Sequence, residues 1–314
     1  MAKKTLTSIL ALIMTFSILL IATACTTSFD DTKYAVISEN NLSDDGLVYS
    51  IYENNTVVIT GREVDYAELV IPDTIDGKNV VEIGNGAFEN DEAVILATIG
   101  KNVRVIGDSA FSACKMLARV EASEALKKIS SSAFYDCERL AEFIGATKLE
   151  IIDEVAFYNC ISLAYFDFPE TVTTISNEAF SGCSSLTEIK LTNNVKTFGE
   201  GVFSYCSSAT KADLGALKNI PNRTFLNCIS LDNVLISDSV LEVGAHAFRG
   251  CLKLKTVNMG KNVKSVGESA FAQCEALKAV NYGGSESNFA KIKFAIDNDL
   301  LKAASISYNQ KIGG

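Results

Sequence analysis

Residues 179–198 read AFSGCSSLTEIKLTNNVKTF, and the spacing of the apolar positions in this stretch decides the fold. Ala179, Phe180, Cys183 and Leu186 follow one another at helical-type intervals, so they share one face of a short helix or helical turn. Ile189 and Leu191 then alternate with Glu188 and Lys190, the period of two of a strand with one buried side. Asn193 and Asn194 supply a turn. Val195 and Phe198 return the chain to the next helical turn.

Outward from this stretch the pattern recurs. Phe88, Phe111, Phe134, Phe157, Phe180, Phe203, Phe225, Phe248 and Phe271 are spaced by 23 residues, once by 22. Three residues after eight of them stands a cysteine: Cys114, Cys137, Cys160, Cys183, Cys206, Cys228, Cys251 and Cys274. The first repeat has Asp91 there instead. An apolar residue, usually Ile, lies five before each Phe, and Leu usually lies six after. A fixed period of this length marks a solenoid, in which no coil is stable alone because each hides its apolar sides against its neighbours.

These residues resemble the BspA-like, Treponema-type leucine-rich-repeat family over roughly residues 80–282. The shared pattern is apolar–x–x–Ile–x–x–x–Ala–Phe–x–x–Cys–x–x–Leu–x–x–Val. The resemblance implies an α/β solenoid of about nine coils of 23 residues. It also implies an entry segment at 34–79 and a closing segment at 283–314. The sequence supports both ends independently. Leu47, Tyr49 and Ile51 alternate, Glu53 to Thr56 offer a turn, and Val57 and Ile59 alternate again, a β-hairpin signal that would cap the first coil. Phe289, Ile292, Leu300 and Ile306 are expected to cover the last.

The eight repeat cysteines read as a ladder of buried thiols, one per coil, because a cysteine packs as a small apolar residue. Parallel side chains in adjacent coils do not approach end to end as a disulfide requires. The close Cys-x-x-Cys spacing of a metal site does not occur. No metal and no cofactor are expected.

Cys25 stands apart from the repeats. Lys3 and Lys4 precede an uncharged run from Thr5 to Ala24, which ends in Ala22-Thr23-Ala24 and is followed by Cys25 and polar residues. This is an export-signal layout. The small residues before Cys25 resemble the lipobox of bacterial lipoproteins, although Ala22 stands where Leu is commoner. The resemblance implies that 1–24 is removed, that Cys25 carries lipid, and that 25–33 is a linker. A plain secretory signal and an uncleaved membrane helix are the alternatives.

The 314-residue chain carries a formal charge of −10. Losing residues 1–24 removes two lysines and no acid, leaving 26 basic against 38 acidic residues, or −12. That balance argues against nucleic acid and against adhesion to anionic lipid. The only histidine, His246, occupies a repeat position held elsewhere by Ser109, Ser132, Glu178 and Arg223, and is expected at the surface.

Solenoids bind through the exposed face of their strand array. One outward column reads Arg119, Glu142, Tyr165, Glu188, Lys211, Asn233, and the next reads Glu121, Ile144, Asp167, Lys190, Asp213, Leu235. Neighbours about 5 Å apart would let Arg119 face Glu142, Glu188 face Lys211, and Lys190 face both Asp167 and Asp213. Such charges can simply neutralise one another on a solvated sheet. Ile144, Tyr165 and Leu235, apolar or aromatic where water is expected, mark a protein-binding patch instead. The coils near 205–225 are irregular, with Ala209, Ala212, Pro221 and Thr224 at unusual positions, and a change of curvature is expected there.

The resemblance implies a monomeric surface protein that binds host or bacterial surface proteins, adhesin-like, and touches membrane only through its lipid. A structural or envelope-assembly lipoprotein is the alternative. An enzyme is disfavoured because the sequence has no Gly-rich phosphate loop and no Cys–His couple in shared context.

Overall fold

The computed structural model describes residues 34–312. The export segment, Cys25 and the linker lie outside the described residues. From residue 84 onward the chain winds as stacked coils whose strands form two parallel ladders. The narrow ladder uses two-residue strands five and six positions before each Phe, such as Val105–Ile106, Lys128–Ile129 and Ile151–Ile152. The wide ladder uses strands eight to ten positions after it, such as Arg119–Glu121, Glu142–Ile144 and Glu188–Lys190. Registers step by one repeat, as in Phe143 beside Val120 and Ile152 beside Ile129.

The helical face expected between Ala179 and Leu186 is a run of turns. Residues 84–284 contain no α-helix, so the repeat is a β-solenoid rather than an α/β one. Two residues in every coil adopt left-handed backbone, two before and two after the Phe: Glu178 (φ 53°) with Gly182 (79°), Ser109 (54°) with Ala113 (57°), His246 (57°) with Gly250 (76°). A helix needs consecutive right-handed residues, so each interrupts it. The N–H groups then alternate between two destinations. Cys183 donates to Phe180 O within the coil at 3.2 Å, whereas Phe180 donates to Val202 O and Gly182 to Ser204 O of the next coil, at 3.0 and 2.8 Å. The turns therefore stitch the stack together.

Phe88 is 3% exposed and the other eight repeat phenylalanines 0%. Their rings stack along the solenoid, with centroids from 5.0 Å (Phe248–Phe271) to 5.8 Å (Phe203–Phe225), within the range where aromatic pairs attract. The eight described cysteines are free and buried. Each thiol donates to the carbonyl of the repeat Phe one coil earlier, from Cys114 to Phe88 O at 3.0 Å through Cys274 to Phe248 O at 3.2 Å. Burial pushes the thiols up, to about 12 for Cys114 and Cys274.

At the N-terminus, β1 (Val36–Leu42), β2 (Leu47–Tyr52) and β3 (Val57–Arg62) form an antiparallel sheet, and the expected hairpin is the β2–β3 pair. Then β4 (Glu68–Ile71) starts the wide ladder. A short hairpin of β5 (Thr74–Ile75) and β6 (Lys78–Ile83) follows, and β6 joins β3 to the narrow ladder. At the C-terminus, α1 (Glu286–Phe289) and α2 (Asp299–Ala303) close the stack. Phe289 and Ile292 are buried as expected and Ile306 partly so. Leu300 is 38% exposed, and its neighbour Leu301 is buried instead. Position within α2 decides which of the two faces the core.

Both ladders are interrupted. The narrow ladder ends at Thr197–Phe198 and resumes at Asn219–Ile220, across the irregular coil. There Thr224 is buried and satisfies its hydroxyl on Pro221 O at 2.8 Å.

Candidate functional site

The wide ladder breaks at residues 165–167, which form no strand. The expected unbroken columns are therefore two shorter ones. Beneath this coil Phe166 and Phe168 both turn inward, 4.8 Å apart, against Phe157 and Phe180. Pro169, which ends the segment, has no N–H to give a ladder. Two rings and a proline thus replace the slim strand of the flanking coils.

On the N-terminal part, the outward residues stand in register as Glu68, Leu96, Arg119, Glu142 in one row and Val70, Thr98, Glu121, Ile144 in the other. Arg119 holds both neighbouring carboxylates. Its Nη1 donates to Glu142 at 2.6 Å, and its Nη2 to Glu121 at 2.7 Å. The expected Arg119–Glu142 pair is thus present, and Glu121 joins it along the same strand. Around this cluster lie exposed apolar side chains: Val70 (60%), Leu96 (37%), Ile144 (45%) and Tyr165 (62%). The sequence reading missed Val70 and Leu96. Leu96 was within reach, because it occupies the column of Arg119 one coil earlier.

The C-terminal part differs. Glu188 and Lys211 are register partners, as are Lys190 and Asp213, yet neither pair forms an ion pair among the described residues. Asp167 lies in the break and forms no ion pair with Lys190 among the described residues. Leu235 is half-buried rather than exposed. Asn233 belongs to an amide chain: Asn281 Nδ2 donates to Asn258 Oδ1 at 2.8 Å, and Asn258 Nδ2 to Asn233 Oδ1 at 2.7 Å. These side chains satisfy one another and leave a neutral polar strip. His246 is also corrected. It is half-buried at a left-handed corner, and its Nδ1 is buried without a partner.

The stacked turns, the Phe and thiol ladders and the two-ladder coil can be compared with known proteins. The family model described as BspA type leucine rich repeat region matches in overlapping segments, 81–210, 150–278 and 218–312. The chain belongs to the BspA-type leucine-rich-repeat family.

Among solved structures, this BspA-type chain is similar to a Treponema pallidum leucine-rich-repeat protein at 27% identity and TM-score 0.51, over 68% of this chain and 90% of that one. It is also similar to a leucine-rich cell surface protein of Faecalibacterium prausnitzii, at 20% identity and TM-score 0.42, over 85% and 99% of the two chains. The pneumococcal vaccine antigen PcpA matches at 17% identity and TM-score 0.35, over 89% and 100%. No curated protein is significantly similar to the chain. The BspA-type repeat accounts for the scaffold.

Proposed function

We propose that the protein is displayed at the bacterial cell surface and binds other proteins, in the manner of an adhesin, through the N-terminal part of its wide ladder. One observation carries the reading: the Arg119–Glu121–Glu142 cluster is framed by exposed Val70, Leu96, Ile144 and Tyr165. Exposed apolar and aromatic side chains beside an arginine on a stiff sheet are groups that anchor protein interfaces, where Tyr and Arg carry much of the energy. The remaining outward residues, Asp167, Glu188, Lys190, Lys211, Asp213, Asn233 and Leu235, extend this surface and set its charge. The lipobox-like segment ending at Cys25 supplies the tether, with lipid on that thiol and the solenoid outside the membrane.

The test has two parts. Proteolysis of intact cells should remove the solenoid if it is displayed. Affinity capture from host matrix and from bacterial envelope, each repeated with Tyr165→Ala, then identifies the partner. Protection from protease, or capture that Tyr165→Ala leaves unchanged, contradicts the proposal.

A further inference from the structure

The C-terminal part of the narrow ladder carries a second surface. Asn219, Glu242, Ser265 and Lys293 stand in register on successive strands. None of these side chains has a hydrogen bond or ion pair among the described residues. They edge a groove of about 620 Å³. Its floor is Pro221, Gly244, Gly267 and Ala295. Gly244 and Gly267 admit no side chain: a Cβ on Gly244 would lie 2.5 Å from Asn222 N, and one on Gly267 2.5 Å from Ala245 N, backbone of the preceding coil in each case.

Lys293 lines this groove, and two further lysines adjoin lining residues in the chain. Lys218 and Lys264 immediately precede Asn219 and Ser265. The backbone links them coil to coil: Leu241 N–H donates to Lys218 O, Lys264 N–H to Leu241 O, and Lys293 N–H to Lys264 O. Lys218, Lys264 and Lys293 are exposed and make no ion pair among the described residues. Of the two acids at the groove, Glu200 is already engaged by Arg223 at 2.8 Å and by Asn222 at 2.9 Å. Glu242 remains as the free carboxylate. A chain of net charge −10 thus presents a local row of unpaired cations beside a groove.

We propose that this groove binds a linear anionic polysaccharide, with its carboxylate or sulfate groups along Lys218, Lys264 and Lys293 and its hydroxyls on Asn219 and Ser265. The row from Asn219 to Lys293 crosses four strands, about 15 Å at ordinary strand spacing, room for a few sugar rings end to end. The floor excludes a peptide read through its main chain. The N–H groups of Gly244, Gly267 and Ala295 already donate to Ile220, Val243 and Val266 O. Single-stranded nucleic acid is recognised by stacking on open aromatic faces, and the one aromatic lining residue, Phe294, is half-buried.

The test is calorimetric titration of the full-length protein with heparin oligosaccharides (sulfate) and with oligogalacturonate (carboxylate). Polyglutamate, neutral dextran and phosphatidylserine vesicles are the comparators. At least one anionic oligosaccharide should bind, with affinity falling as salt rises. The variant Lys218→Gln/Lys264→Gln/Lys293→Gln should lose about tenfold or more, in line with removal of three charge contacts. Glu242→Gln removes the one repulsive charge and should tighten binding. Failure of both oligosaccharides, equal binding of polyglutamate or vesicles, or indifference to the lysine variant overturns the proposal. Lys211→Gln, on the wide ladder, should leave this binding unchanged, which separates the site from the protein-binding face.

Discussion

Arg62 of the N-terminal cap and Asp91 of the first coil form a buried ion pair, with Nη2 2.6 Å from a carboxylate oxygen and the two side chains only 5% and 10% exposed. Asp91 stands where every later coil has cysteine. Its carboxylate also accepts from Ala93 N at 2.9 Å and Val94 N at 3.0 Å. The first coil has no earlier repeat Phe carbonyl for a thiol to donate to. It has instead a cap that offers a guanidinium. The exception in the repeat is therefore the latch that fixes the cap.

Breaking that latch should be costly. Asp91→Ala leaves buried Arg62 with only the exposed Asp65, 3.8 Å away, and removal of one partner of a buried pair costs about 3–5 kcal/mol. Replacing both, as Arg62→Leu with Asp91→Cys, should recover most of the loss. Urea denaturation of the three proteins checks this, and a double variant no better than the single one contradicts it.

Phe180→Ala should destabilise by about 3–5 kcal/mol. The ring is fully buried and stacks on Phe157 at 5.1 Å and Phe203 at 5.7 Å. The loss should spread to the coils on both sides, because each coil is stable only against its neighbours. An unchanged denaturation midpoint would remove the basis for this assignment.

The thiol ladder makes stability fall at alkaline pH. Folding raises the thiols, to about 12 for Cys114 and Cys274, whereas an unfolded cysteine ionises near 8.5. The unfolded chain therefore holds fewer protons between those values. The stabilisation is complete below about pH 8.5 and declines above it, by up to about 1.4 kcal/mol per pH unit for each thiol. The urea midpoint should drop between pH 8 and pH 10, and should drop less in a Cys183→Ala/Cys206→Ala variant. In native protein at neutral pH the described cysteines should resist a thiol reagent until the chain unfolds.

Much of this fold was legible in the sequence, and the exceptions have distinct physical causes. The Phe and Cys columns were legible because one buried role recurs at one spacing. The β2–β3 hairpin was legible from its alternation. The turns were not, because Ala179, Phe180, Cys183 and Leu186 have the same intervals in a helix and in a run of three-residue turns. The left-handed positions that decide between them are filled before the Phe by residues such as Val155, Glu178, Arg223 and His246, which carry no turn signature and are held by bonds to the next coil; after the Phe, Asn90, Asp136, Asn159, Gly182, Asn227 and Gly250 do carry one, but it does not by itself exclude a helix end. At the candidate site the outward columns followed from alternation. Their pairing did not: Arg119 reaches Glu142, yet Glu188 and Lys211 in the same register relation stay apart. Phe166 and Phe168 turn inward as Ile189 and Leu191 do, which alternation reveals; that this coil, with two rings and Pro169, forms no strand is not revealed by spacing.

The most direct test of the stack is a distance along its outer face. Spin labels on Glu142→Cys and Thr256→Cys would sit at equivalent outward positions on either side of the break in the wide ladder, five coils apart, and the buried native thiols should not compete for label. Pulsed electron resonance should give a single narrow distribution centred near 24 Å, five strand spacings, broadened only by the label arms. A broad distribution, or one centred well away from that value, would contradict a continuous rigid solenoid and the binding face built on it.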